Sequence, residues 1–284
     1  MLLFKRLACL MALVLLSACS SLIANQTSQL ADNISIAIYN NGDIESVGQA
    51  IPTFLVLIDS MIEGSPESTS LLRAGAQLND AYAGSFVEQE SRKKLISDKA
   101  LGYARKSACF ERSGFCDLDS IPFTEFESRL KAAGAGDIPA IYTLAVTWLN
   151  WIQIHSDDWS AVTGLARVER LLDRVVELDD AYDNGMAHLY LGGIAALLPP
   201  ALGGKPEVSR EHFEKAIEIS EGKNLMAKVV YAQMYARMMF DEDLHQTLLQ
   251  DVLGADPDVP NFVLMNHLAQ RQAAELMASA PDYF

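Results

Sequence analysis

An all-α fold, arranged as an array of paired amphipathic helices in divergent repeats, is what this sequence predicts. Three observations carry that expectation. First, apolar residues recur at helical spacing: Met186, Leu189, Tyr190, Gly193, Ile194, Leu197 and Leu198 follow the i, i+3, i+4, i+7 pattern. Second, strand signals are poor, with no sustained period-2 run and no Asn-Gly hairpin between apolar runs. Third, three segments close in a similar way, at positions 180, 221 and 257, which are 41 and 36 residues apart.

The elements follow in chain order. Lys5 and Arg6 form a positive n-region, and Leu7 to Leu16 an apolar h-region of ten residues, too short to span a bilayer comfortably. Leu16-Ser17-Ala18-Cys19 then matches the bacterial lipobox. Residues 1–18 are expected to be a lipoprotein signal peptide. Acylation of Cys19 would anchor the mature chain rather than thread it through the membrane. Residue 20 is Ser rather than Asp, which points to the periplasmic face of the outer membrane. Residues 19–40, rich in Ser, Asn, Gln and Ala at their start, are expected to be a tether. Residues 41–284 form the helical domain.

Within it, Ile44 to Ile62, Pro66 to Phe86 and Glu90 to Phe110 read as helices, with Gly42-Asp43 and Gly64-Ser65 as breaks and caps. Cys109 and Cys116 are best read as a disulfide in an oxidising compartment. A metal site there would want more ligands and a tighter spacing. None of the five histidines lies within four residues of another. Ser113 to Phe123 reads as the loop this disulfide would staple. Asp137 is placed to cap a helix from Ile138 to His155. That helix has almost no polar face, and Trp148 and Trp151, three apart, share one side of it. It is either a central core helix or one that lines a dry channel.

The stretch after Ile194 is unusual. Leu197, Leu198, Pro199, Pro200, Ala201 and Leu202 make an uncharged elbow that ends in Gly203-Gly204, and Pro206 opens the next helix at its first turn. Such a run packs on its own neighbour or meets a partner or ligand. Phe213, Ala216 and Ile217 form the next apolar stripe. A small-residue helix followed by Phe-x-x-Ala-Ile is the pattern of a tetratricopeptide unit, whose standard length is about 34 residues. The elbow accounts for the longer of the two spacings.

Charge and motif content narrow the function. The chain carries 22 basic and 37 acidic residues, a net charge of −15. It shows no Lys/Arg cluster, so no nucleic-acid partner is expected. Gly204-Lys205 is not a phosphate loop, because Pro199 and Pro206 stand where glycine and a hydroxyl residue are required. H-E-x-x-H and G-x-S-x-G are absent from the sequence. No catalytic residue, cofactor or metal is expected.

A set of segments occurs in order: Ile138-Pro139-Ala140-Ile141-Tyr142 with Trp148 and Trp151; Arg167 to Leu172 with Glu177-Leu178-Asp179; Ala187 to Gly192; Leu198 to Gly204; and Asn224 to Val229. Together with the lipobox they resemble the T component of tripartite ATP-independent periplasmic (TRAP) transporters, over roughly residues 40 to 275. The resemblance implies a trimeric periplasmic scaffold that partners a TRAP substrate-binding protein and encloses a path for a hydrophobic small molecule. Trp148, Trp151, Leu197, Leu198, Pro199, Pro200 and Leu202 supply apolar surface of the kind such a path needs. An envelope assembly scaffold that binds a protein and passes no ligand is the alternative. Asp180 and Glu221 stand where a repeat-closing Pro is usual, so the repeats are divergent.

Overall fold

The computed structural model describes residues 33–199, 201 and 204–284, and no strand occurs among them. Cys19 and the lipobox, together with Pro200 and Leu202, lie outside the described residues. Residues 33–39 are helical (α1), inside the stretch expected to be tether, and Ile38 packs with Val47 and Ile51 of the next helix.

α2 (Ile44–Gly64) opens where the Asp43 carboxylate accepts from the Ser46 amide at 3.0 Å, satisfying one otherwise orphaned donor. Ser68 caps α3 (Thr69–Phe86) in the same way, and α4 (Glu90–Glu111) follows. α3 buries Ala76 and Ala83, and α4 buries Ala100, Ala104 and Ala108. Small residues on both buried faces let the two helices pack closely.

The chain then turns a corner through short 3₁₀ segments and α5 (Phe123–Lys131) into α6 (Ile138–Ile154). Cys109 and Cys116 are joined in a disulfide across this corner, with Cα atoms 4.4 Å apart. Arginines satisfy the corner's carbonyls. Arg112 donates to Ala132 O at 2.6 Å, Arg167 to Leu118 O and Ile121 O at 3.1 and 2.6 Å, and Arg174 to Ala133 O at 2.7 Å. The Arg167 guanidinium also sits over the Phe123 and Phe126 rings. Asp137 does not cap α6 with its side chain. Its carboxylate accepts from the Gly134 amide at 2.8 Å and closes the preceding turn instead.

Beyond α6 come α7 (Trp159–Val162), α8 (Leu165–Leu178), α9 (Met186–Ala195), α10 (Pro206–Ile219) and α11 (Leu225–Val230). α11 continues as a π-helical stretch, Tyr231–Ala236, before α12 (Glu242–Gly254) and α13 (Val263–Tyr283). α3 packs on α4, α6 on α8, α9 on α10, and α11 with its π-helical extension on α12. α9 ends at Ala195, so Leu197 and Leu198 fall beyond the helix whose stripe they continue in sequence. The largest core cluster joins α4, α5, α6 and α8 around Phe115, Phe126, Ile141, Leu171 and Leu172. A second gathers α10 to α13 around Phe213, Leu249 and Val252, and a third clamps α2 and α3 against Leu264 and Leu268 of α13.

Candidate functional site

α3 turns its apolar stripe inward at Leu72, Ala76 and Ala83, and the same stripe carries Asp80. A charged residue at that register is delivered into the interior by helix geometry alone. Asp80 is 6% exposed. Asn150 Nδ2, from α6, donates to its Oδ2 at 2.6 Å, while Oδ1 is buried without a hydrogen-bond partner among the described residues. Burial pushes the Asp80 carboxyl up to about 7 against the pull of that one bond. An acceptor sealed away unsatisfied costs about 1–3 kcal/mol.

A second carboxylate comes from the turn before α9. Asp183, Asn184 and Gly185 are all left-handed, at φ 48°, 56° and 77°. Asp and Asn tolerate this conformation better than other side-chain-bearing residues, and glycine takes it freely. The turn sets Asp183 Oδ2 to accept from the Tyr142 hydroxyl at 2.6 Å, and Tyr182 packs edge-on to Tyr142 with ring centres 5.2 Å apart. Burial first, then Tyr190 and Asp183, push the Tyr142 phenol up.

Tyr190 of α9 and Tyr39 at the end of α1 complete the group. Burial, then Asp80 and Asp183, raise the Tyr190 phenol, and burial, then Asp183 and Asp80, raise that of Tyr39. Yet Tyr39 keeps 43% of its surface accessible and Tyr190 is only half-buried. Neither phenol oxygen has a hydrogen-bond partner among the described residues.

The residues singled out from the sequence fall in several places. Trp148 is 4% exposed and lies against Gly164, where a Cβ would stand 2.8 Å from its ring. Trp151 turns to the other side: its indole donates to Asp98 of α4 at 2.7 Å and its ring stacks on His155. The two tryptophans therefore meet different neighbours. Leu197 and Leu198, 49% and 50% exposed, and Pro199 lie on the surface of the elbow. None of these contacts Asp80 in any hydrogen bond or ring pair found in the structure.

Sequence reasoning missed Asp80, Asn150, Asp183, Tyr190 and Tyr39. One signal was present: Asp80 interrupts the apolar stripe of α3. A further polar cluster lies between α9 and α10. His188 Nδ1 stands 2.8 Å from His212 Nδ1, and His188 Nε2 stands 2.9 Å from Asp180 Oδ1. Burial, and then His188, hold His212 below the usual imidazole range. Among the described residues no group of three or more His, Cys, Asp or Glu is placed to hold a metal.

A helical body that buries a carboxylate with hydrogen-bonding capacity to spare among the described residues has the build of a binding protein. The sequence model of the TRAP transporter T-component family matches residues 40–284, and the chain belongs to that family. It is a transport accessory family, not an enzyme family, and membership points to the bacterial envelope. No curated protein matches the chain in a sequence comparison.

Proposed function

We propose that the chain is the lipid-anchored T component of a TRAP system, held at the periplasmic face of the outer membrane through Cys19. In this reading it assembles as a trimer, docks a periplasmic substrate-binding protein and encloses a path for a hydrophobic small molecule. The paired helices α3/α4, α6/α8, α9/α10 and α11/α12 are read as divergent tetratricopeptide units. The family match over residues 40–284 carries the assignment. The path is supported by the apolar surface that Leu197 and Leu198 leave half exposed after α9.

The test uses full-length acylated protein extracted in mild detergent. The cognate substrate-binding protein should co-elute with it, and light scattering should give three copies per particle. Solvent extraction of that material should release an apolar small molecule. A monomer that retains neither partner nor molecule would sink this reading. Retention of a protein partner with no molecule in the extract would favour the assembly-scaffold alternative.

A further inference from the structure

We propose that Asp180, His188 and His212 form an acid-sensitive latch between α9 and α10, closed while the two imidazoles share a proton and released when each carries its own. The inference goes beyond the transport reading and does not depend on it.

The geometry fixes where the protons sit. His188 of α9 is 6% exposed and has a partner at each ring nitrogen. Asp180 Oδ1 stands 2.9 Å from its Nε2, and His212 Nδ1, from α10, stands 2.8 Å from its Nδ1. A carboxylate only accepts, so His188 Nε2 carries a hydrogen. The gap between the two Nδ1 atoms holds one hydrogen. With both rings neutral, His212 donates it. One further proton on the pair is tolerated, because the charged ring donates to the lone pair of the other. A second sets N–H against N–H, between two like charges in contact.

The seam around the pair is tight on both sides. A Cβ at Gly192 would stand 3.0 Å from the Phe213 ring, and Ser209 Oγ donates to Gly192 O at 2.8 Å. A Cβ at Gly185 would stand 3.0 Å from Ile219 Cβ. The rings therefore have no room to slide along the helices, and moving them apart means parting α9 from α10. That seam flanks the elbow at residues 196–205.

The neighbouring charges favour protonation. Asp173 of α8 takes Arg170 at 3.0 Å, Lys215 of α10 lies 4.0 Å from Asp180 and 3.2 Å from Glu218, and Glu211 adjoins His212 in the chain. Burial first, and then His188, nonetheless hold His212 below the usual imidazole range. In acid the closed seam thus carries one proton fewer than the parted one. Opening is favoured as pH falls below about 6.5, where a free imidazole titrates, by up to about tenfold per pH unit.

The test is hydrogen–deuterium exchange read by mass spectrometry on the full chain in mild detergent, with a chelator present, at pH 7.5, 6.5 and 5.5. Rates are divided by those of unstructured peptides at the same pH. Protection of α9 and α10 should fall severalfold, up to about tenfold, from pH 6.5 to 5.5, while that of α2 to α4 holds. His212→Asn keeps an amide donor toward His188 and takes up no proton, so its protection should stay level. Exchange at the imidazole C2 carbon gives a wild-type reading that needs no variant: His212 should titrate below about 6.5. Level protection of α9 and α10 in the wild type overturns the proposal, because His212 then swings out alone. A fall shared equally by α2 to α4, a fall retained by His212→Asn, or a His212 midpoint at or above about 6.5 overturns it too.

Discussion

The corner between α4 and α6 and the wall at Asp80 handle polar groups in opposite ways. At the corner, carbonyls left over by broken helices meet arginine donors: Leu118 and Ile121 take Arg167, Ala132 takes Arg112, and Ala133 takes Arg174. Phe115 and Phe126 seal it, at 2% and 0% exposure. At the wall, a buried carboxylate oxygen of Asp80 has no donor among the described residues. Buried polar groups in folded proteins are paired as a rule; the corner's carbonyls follow it, though Arg174 Nε there has no partner among the described residues, and at the wall it is a carboxylate oxygen that departs from it.

The comparison breaks most sharply at Phe126. Deleting a ring that size from a site with no exposed surface costs about 3–5 kcal/mol. Phe126→Ala should lower the unfolding free energy by that much while hexanol still binds the surviving folded fraction at pH 8. If binding is lost in proportion to nothing but the mutation, with the fold intact, corner and wall are not separate.

Asp80→Asn should act in the opposite direction. The carboxyl is raised from 3.8 to about 7 in the fold, so the folded chain binds the extra proton between those values. Wild-type stability should therefore fall as pH rises from about 4 to 7, and the full penalty should be present above 7. The bound on it is about 4 kcal/mol, before relaxation and water entry reduce it. The Asn variant should be the more stable protein at pH 8 and should lose that slope. Urea titrations of both proteins at pH 5 and pH 8 check this, and a variant no more stable than wild type at pH 8 would contradict the burial argument.

Removing the staple should matter less. Cys109 and Cys116 are seven positions apart, and closing so short a loop contributes about 2–3 kcal/mol in the chain-entropy picture. Cys109→Ala with Cys116→Ala should cost no more than that, because the arginine–carbonyl contacts remain. Mass spectrometry after alkylation without reduction should find neither thiol free in the wild type.

What was readable beforehand follows from these physical differences. Helices announce themselves locally, through apolar spacing and caps such as Asp43 and Ser68, so α2 to α4 fall close to where the pattern puts them. Asp137 stands at the N-cap position of α6 as the pattern puts it, but its carboxylate takes the Gly134 amide of the preceding turn and leaves the helix without a side-chain cap. The wall was not readable because its members are far apart in the chain. Tyr39, Asp80, Asp183 and Tyr190 each look ordinary within their own segments, and only packing brings them together. Trp148 and Trp151 illustrate the converse. Spacing places them on one side of α6, yet Gly164 admits one ring and Asp98 takes the other.

The smallest effect is expected at the elbow, where the comparison is sharpened instead of broken. Leu198 is 50% exposed, so it belongs to neither the sealed corner nor the buried wall. A substitution at such a position usually shifts stability by about 0.5 kcal/mol or less. Leu198→Asp should therefore fold, with a thermal transition within a degree or two of wild type. If the elbow lies at the rim of the path, hexanol should bind the variant more weakly, because a charge at the rim is solvated while an apolar probe is not. Repeating the measurement across dilution separates the remaining case. A variant that melts early only at concentrations where wild type is assembled has lost a contact with another copy, and the elbow then belongs to the trimer interface. A variant that melts early at every concentration places Leu198 in the core, against its observed exposure.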